Sequence, residues 1–127
     1  MSKKVLDASA ILAILFHEPG EEKLTDEILD EAVLSTVNLA EVHSKLVKMG
    51  HDPEAAWSDA EAVAPTEDYS PAHAKLAGTL AKSTSQYGLS LGDRSCLALA
   101  ISLGAEVYTT EKLWKNLKVG VPIHVIR

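Results

Sequence analysis

The chain has 127 residues, 46% of them hydrophobic and 24% charged, the balance of one ordinary globular domain spanning residues 1–127. Twelve Lys and Arg stand against 18 Asp and Glu, a net charge of −6. That balance argues against a basic nucleic-acid-binding module, but not against an enzyme that meets nucleic acid through bridging cations. A single cysteine, Cys96, excludes a disulfide framework and a multi-cysteine zinc site.

In chain order, Lys4-Val5-Leu6 reads as a short strand and Ala8–Phe16 as a helix that stops at the Glu18-Pro19-Gly20 turn. Glu21–Glu31 reads as an acidic amphipathic helix with Leu24, Ile28 and Leu29 on one face. Ala32–Ser35 is a second strand. Asn38–Met49 is a helix closed by Gly50, and Pro53–Ala62 another, anchored by Trp57. Ala62–Ala64 is a short third strand. Pro71–Gln86 is an alanine-rich helix with proline at its favoured first position and Gly88 just past its end. Asp93–Leu103 is apolar nearly all round, so it is a buried helix. Glu106–Thr109 and Ile123–Ile126 complete the strands.

The longest uninterrupted apolar stretch, Ala10–Phe16, has seven residues, where a membrane span needs about 20. Lys3 and Lys4 before an apolar run imitate a signal peptide, but Asp7 interrupts the run and no small-x-small cleavage site follows. The expectation is a cytoplasmic protein with no membrane segment.

Alternating strands and helices specify an α/β fold, a central parallel sheet of about four or five strands flanked by helices. Such sheets bind ligands beyond the carboxyl ends of their strands. Asp7 follows the first strand, Glu111 follows Thr109 and Thr110 after the fourth, Asp93 opens the buried helix, and Glu41 lies early in the helix after the second strand. Carboxylates converging on one edge cannot all stay ionised without a cation among them. Hard divalent metals take oxygen ligands, and a carboxylate-held metal can activate water and hold a phosphate.

Taken singly, each acid also has an ordinary structural reading. Asp7 or Ser9 can cap the first helix. Asn38 and Glu41 have the spacing of a local cap, and Glu41 precedes Lys45 in the favoured order for an ion pair. Leu39, Val42 and Leu46 share a helix face from which Glu41 points away. Asp93 and Thr110-Glu111 can complement helix N-termini. Lys112, Lys115 and Lys118 form a small basic group beside Glu111, the ordinary pattern of a solvated surface. There is no GxGxxG, no GxxxxGK[ST], no HExxH and no GxSxG, and position 9, where a DxD phosphatase needs an acid, holds Ser9. Leu24, Ile28 and Trp57 either line a partner groove or belong to the core, and core is the commoner fate of such stripes.

Together these segments resemble one family. Val5–Ala10 (VLDASA), Ile11–Leu15 followed by Glu18-Pro19-Gly20, Thr36–Val42 (TVNLAEV), Gly88–Ala100 (GLSLGDRSCLALA) and Tyr108–Glu111 with Trp114 resemble, in order and spacing, the PIN-domain family, specifically the ribonuclease toxins of VapBC-type toxin–antitoxin pairs. The resemblance spans the whole chain, and the Gly88–Ala100 segment is its most specific part. It implies a PIN fold, Mg²⁺ or Mn²⁺ at an acidic cleft, endonucleolytic cleavage of RNA, a VapB-like antitoxin as partner and a toxin homodimer. Carried over by position, Asp7, Glu41, Asp93 and Glu111 would be the catalytic acids. Asp7 and Asp93 would hold the metal with Glu41, while Glu111 would serve a second ion or position water. Ser9, Thr109 and Thr110 would be supporting polar groups. With metal making the acidic edge phosphate-competent, the charges of Arg94, Lys112 and Lys115 make them candidate contacts to the RNA backbone.

One departure stands out. The family usually has Asp where this chain has Glu111, a side chain about 1.5 Å longer. Glu111 therefore favours a rival expectation, a PIN-like module that binds a partner without cleaving. A metal-dependent nuclease acting on DNA is the other rival, since nothing in the sequence reads a 2′-hydroxyl.

Overall fold

The apolar runs organise the chain through a period of two. Leu6, Leu34 and Tyr108 pack on one face of a sheet with Ala10, Ile11, Leu39, Val42, Leu46, Ala56 and Ala60. Val5, Val33 and Val107 pack on the other with Cys96, Leu97, Leu99 and Ala100. Neighbouring positions on each strand thus serve opposite cores, the pattern of strands covered on both faces. The computed structural model describes residues 3–127.

Five strands, β1 (Lys4–Leu6), β2 (Ala32–Ser35), β3 (Thr66–Glu67), β4 (Glu106–Thr109) and β5 (Ile123–Val125), form a parallel sheet in the order β3-β2-β1-β4-β5. Six helices connect them: α1 (Ala8–Phe16), α2 (Asp26–Asp30), α3 (Thr36–Lys48), α4 (Pro53–Glu61), α5 (Pro71–Ser83) and α6 (Leu91–Leu103). Helices α1, α3 and α4 cover the Leu6 face, and α6 covers the Val5 face. The chain leaves β1 toward β2 on one side and returns to β4 on the other, so strand order reverses between β1 and β4. Ligand sites of parallel sheets lie at such a point. Among the described residues, no helix is long and apolar enough to cross a membrane.

Several expectations are corrected. Glu21–Glu31 is not one helix but a 3-10 turn at Glu21–Lys23 and the short α2, whose N-cap Thr25 accepts from Ile28 N. A continuous helix would stack Glu22 on Asp26, like charges one turn apart. The break also lets Leu24 bury in the core, while Ile28 is half-buried against it. The third strand is Thr66–Glu67 rather than Ala62–Ala64; the apolar residues there pack where the chain leaves α4, and an exposed polar edge pairs with β2. Trp57 is 38% exposed and stacks edge-on against His43 at 5.4 Å, so it does not anchor α4 in the core. That work falls to Ala56 and Ala60. Helix α5 ends at Ser83, and a separate 3-10 turn spans Ser85–Tyr87.

Candidate functional site

The C-terminal ends of β1 and β4 meet at Asp7. Its backbone N–H donates to Tyr108 O at 3.2 Å, continuing the ladder one residue past the strand. Its side chain then caps α1, with Oδ1 accepting from Ala10 N at 2.9 Å. Oδ1 also accepts from Ser9 Oγ at 2.7 Å, and Oδ2 from Thr109 Oγ1 at 2.6 Å. Capping alone would not need burial, yet Asp7 is 3% exposed and no cation pairs with it among the described residues. Burial pushes its carboxyl up to about 6, against the pull of the Thr109, Ser9 and Ala10 hydrogen bonds and with a further push from the negative charge of Asp93.

The hydroxyls around Asp7 are themselves held. Ser9 Oγ accepts from Thr110 N at 3.0 Å, and Thr109 Oγ1 accepts from Glu111 N at 3.0 Å. Ser9, Thr109 and Thr110, singled out in the sequence, therefore form one polar collar around a single carboxylate.

Glu41 reaches the same edge from α3. That helix starts at Thr36 with Ser35 as its cap, so Asn38 lies inside the first turn and is not the cap. Asn38 is 1% exposed. Its Nδ2 donates to Glu41 Oε1 at 2.8 Å and to Gly92 O at 3.0 Å, tying α3 to the start of α6. The anticipated Glu41–Lys45 ion pair does not form; Asn38 takes the carboxylate instead. The stem of Glu41 is exposed, but its head lies flat on Gly92, where any Cβ would overlap the whole carboxyl group. Burial of that head raises its pKa, opposed by Asn38 and reinforced by Asp93.

Asp93 is half-buried and completes a capping box on α6. Asp93 N donates to Ser90 Oγ at 3.1 Å, and Ser90 N donates to Asp93 Oδ2 at 2.9 Å. The structural reading and the site reading of Asp93 are therefore compatible, since the cap uses one carboxylate oxygen. Cys96, one turn further on and fully buried, has its thiol pushed well above the usual range, first by burial and then by the charges of Asp7, Asp93 and Glu41 together. A thiol so placed is inert. In the native protein Cys96 should stay unmodified by a thiol-specific disulfide reagent over hours and react within minutes in denaturant. Rapid native labelling would contradict this packing.

Other candidates fall outside this group. Glu111 is exposed and its side chain caps nothing in the 3-10 turn Lys112–Asn116 that follows. Lys112 and Lys115 are exposed on that turn. Arg94, read in the sequence as an RNA contact, donates Nη1 to Ala77 O at 2.8 Å and clasps α5 to α6. Sequence reasoning paired Asn38 with Glu41 as a local cap but not with α6, and it missed Gly92, a poor helix former placed directly before an acid.

Asp7, Glu41 and Asp93 are oxygen donors, and the charge of Asp93 pushes on both Asp7 and Glu41, which suits a hard divalent cation. As placed, no three Asp, Glu, His or Cys side chains among the described residues are gathered tightly enough to enclose an ion. Asp7 is fixed, whereas Glu41 and Asp93 hold their carboxyl groups at the solvent boundary.

Comparison with solved structures places this architecture among known proteins. DNA-bound VapBC from Salmonella typhimurium matches with a TM-score of 0.76 at 20% identity, covering 98% of this chain and 98% of that one. VapBC2 from Rickettsia felis, bound to a promoter DNA fragment, matches with a TM-score of 0.73 at 19% identity over 95% and 96% of the two chains. VapBC-1 from nontypeable Haemophilus influenzae matches with a TM-score of 0.72 at 15% identity over 95% and 96%. No curated protein matches the chain. The PIN domain family model matches residues 4–119. With Asp7 at the strand-order reversal, Glu41 and Asp93 beside it and that match across nearly its full length, the chain belongs to the PIN domain family.

Proposed function

We propose that this protein is a metal-dependent endoribonuclease, the toxin component of a type II toxin–antitoxin pair acting in the cytoplasm. The observation that carries the proposal is Asp7, a buried carboxylate without a cation partner among the described residues, set among three hydroxyl-bearing residues and pressed by the charge of a second acid. A fold that gained only a helix cap would place that acid at the surface. The likeness of the chain to solved VapBC proteins supports a VapB-like antitoxin as partner and a homodimer as the working form.

Asp7, Glu41 and Asp93 would hold one Mg²⁺ or Mn²⁺ ion. Such an ion, when bound, lowers the pKa of water and neutralises charge on a phosphodiester. The chain's own residues supply orientation. Ser9 and Thr109 fix the plane of the Asp7 carboxylate, Thr110 fixes Ser9, and Asn38 fixes Glu41 over Gly92. Glu111, exposed at the mouth, positions water or serves a second ion. Lys112 and Lys115 contact RNA phosphates, which orients the strand without reading its sequence. No side chain acts as nucleophile; Cys96 is buried and Ser9 already donates to Asp7.

Purified, partner-free protein should cut a structured RNA mixture with Mg²⁺ or Mn²⁺ and leave it intact in EDTA. Folded protein that cuts in neither metal would instead support a partner-binding module. Preference for a matched DNA would move the substrate.

A further inference from the structure

A cavity of about 310 Å³ opens directly beside the Asp7 collar, and Ser9 and Thr110 form part of its wall. Its other walls differ from the acidic edge. Leu12 and Phe16 of α1 and Met49, just past α3, line it, and Phe16 is braced by the His51 ring at 6.5 Å. Arg127 also lines it, but that guanidinium is already used, donating to Glu18 Oε1 at 3.1 Å and to Pro19 O at 2.9 Å. Lys45 is the lining cation that has no carboxylate partner among the described residues. Lys45 belongs to a second cavity as well, of about 450 Å³, where it stands with Glu41 and Lys48 along the outer face of α3.

We propose that the Leu12–Phe16–Met49 cavity is a nucleotide subsite. It takes the base of the RNA nucleotide next to the phosphodiester held at Asp7, Glu41 and Asp93, and Lys45 takes that nucleotide's phosphate. This rests on the ribonuclease reading and extends it to a specific binding pocket. A base is planar, with apolar faces and polar edges. The faces suit Phe16 and the polarisable thioether of Met49. The edges meet Ser9, Thr110 and the Glu18–Arg127 pair. A polymer crossing the acidic edge passes the mouth of this cavity, because the two sites share Ser9 and Thr110. Lys45 and Lys48, without carboxylate partners among the described residues, suit an anionic polymer with a phosphate at every step.

The test uses full-length Asp7→Asn protein as a non-cleaving parent. Its binding to a fluorescein-labelled, mixed-sequence single-stranded RNA is followed by anisotropy across a salt series. Lys45→Ala, a surface change, should weaken binding about five- to tenfold and lower the salt slope by about one. Phe16→Leu keeps an apolar wall but removes the ring; it should weaken binding about fivefold or more with the slope unchanged. If both variants bind as the parent does, while Lys112→Glu with Lys115→Glu weakens binding, RNA runs elsewhere and the subsite is overturned. If binding survives every one of these changes, the cavity is left to a protein segment, and the subsite is again overturned. A parent that binds no RNA, beside wild-type protein that cuts none, overturns the ribonuclease reading and the subsite with it. Wild-type cleavage without parent binding overturns the subsite alone.

Discussion

Asp7→Asn should abolish RNA cleavage and at the same time raise the thermal midpoint of the metal-free protein. The two effects have one cause. The Asp7 carboxyl titrates at about 6 in the folded protein against an ordinary 3.8, with burial the main reason. Between those values the folded protein holds a proton that the unfolded chain has released. Stability therefore falls as pH rises from about 4 to about 6 and stays reduced above, by about 3 kcal/mol. Asn carries no charge to bury. Its Oδ1 keeps the Ser9 and Ala10 donors, and its Nδ2 can donate to Thr109 Oγ1 once that hydroxyl turns its own proton away. At pH 7.5 the variant should melt higher by about 3–10 °C, and the gap should close near pH 4. Millimolar Mg²⁺ or Mn²⁺ should raise the midpoint of the wild type and leave the variant unmoved. Scanning calorimetry at both pH values, with and without metal, checks all three arms. A variant that melts lower at pH 7.5 would show that the hydrogen bonds outweigh the buried charge.

Gly92→Ala should separate the site from the fold in the opposite way. The added methyl takes the space of the Glu41 carboxyl group. That head sits at the end of a flexible, exposed stem, so it can swing into solvent, and it gives up its bond to Asn38 in doing so. Gly92 lies in the first turn of α6, where alanine is the better helix former. The expected change in unfolding free energy is under about 1 kcal/mol, because the propensity gain offsets the lost contact. The expected change in cleavage is about 100-fold or more, the usual cost of displacing a catalytic group by about 1 Å. Mn²⁺ affinity should fall with it. Chemical denaturation, titration calorimetry with Mn²⁺ and cleavage kinetics on the same preparation measure the three quantities. Unchanged cleavage would remove Glu41 from the machinery.

How far the site could be read from sequence depended on the range of each interaction. Asp7 was legible because a lone acid ending an apolar strand is conspicuous, and α6 because a helix apolar all round must be buried. Strands β1, β2 and β4 followed from their short apolar runs. Strand β3 did not, since Thr66 and Glu67 are polar and exposed and pair only because β2 is there to receive them. Asn38 reads from the sequence only as a local cap with Glu41, because its burial and its bond to Gly92 O, 54 residues away, are tertiary. Helical spacing allows Lys45 to pair with Glu41, a rule from isolated helices that yields here to the Asn38 amide. For Glu111 the sequence raised the right question about length and charge. The structure leaves that side chain exposed, where an extra methylene meets little resistance.

Thr109 closes on Asp7 across 102 residues of chain. A ribosome adding about 5–20 residues per second therefore leaves an interval of about 5–20 s between making the acid and making its cover. In the last part of that interval, once Asp93 has been made, all three acids exist, but β4 has not paired with β1, and the Asp7 carboxylate is still in water. An unfinished chain thus carries the reactive groups without the enclosure that orients them. For a protein whose proposed substrate is RNA, this topology delays arming until β4 has been made and has paired with β1.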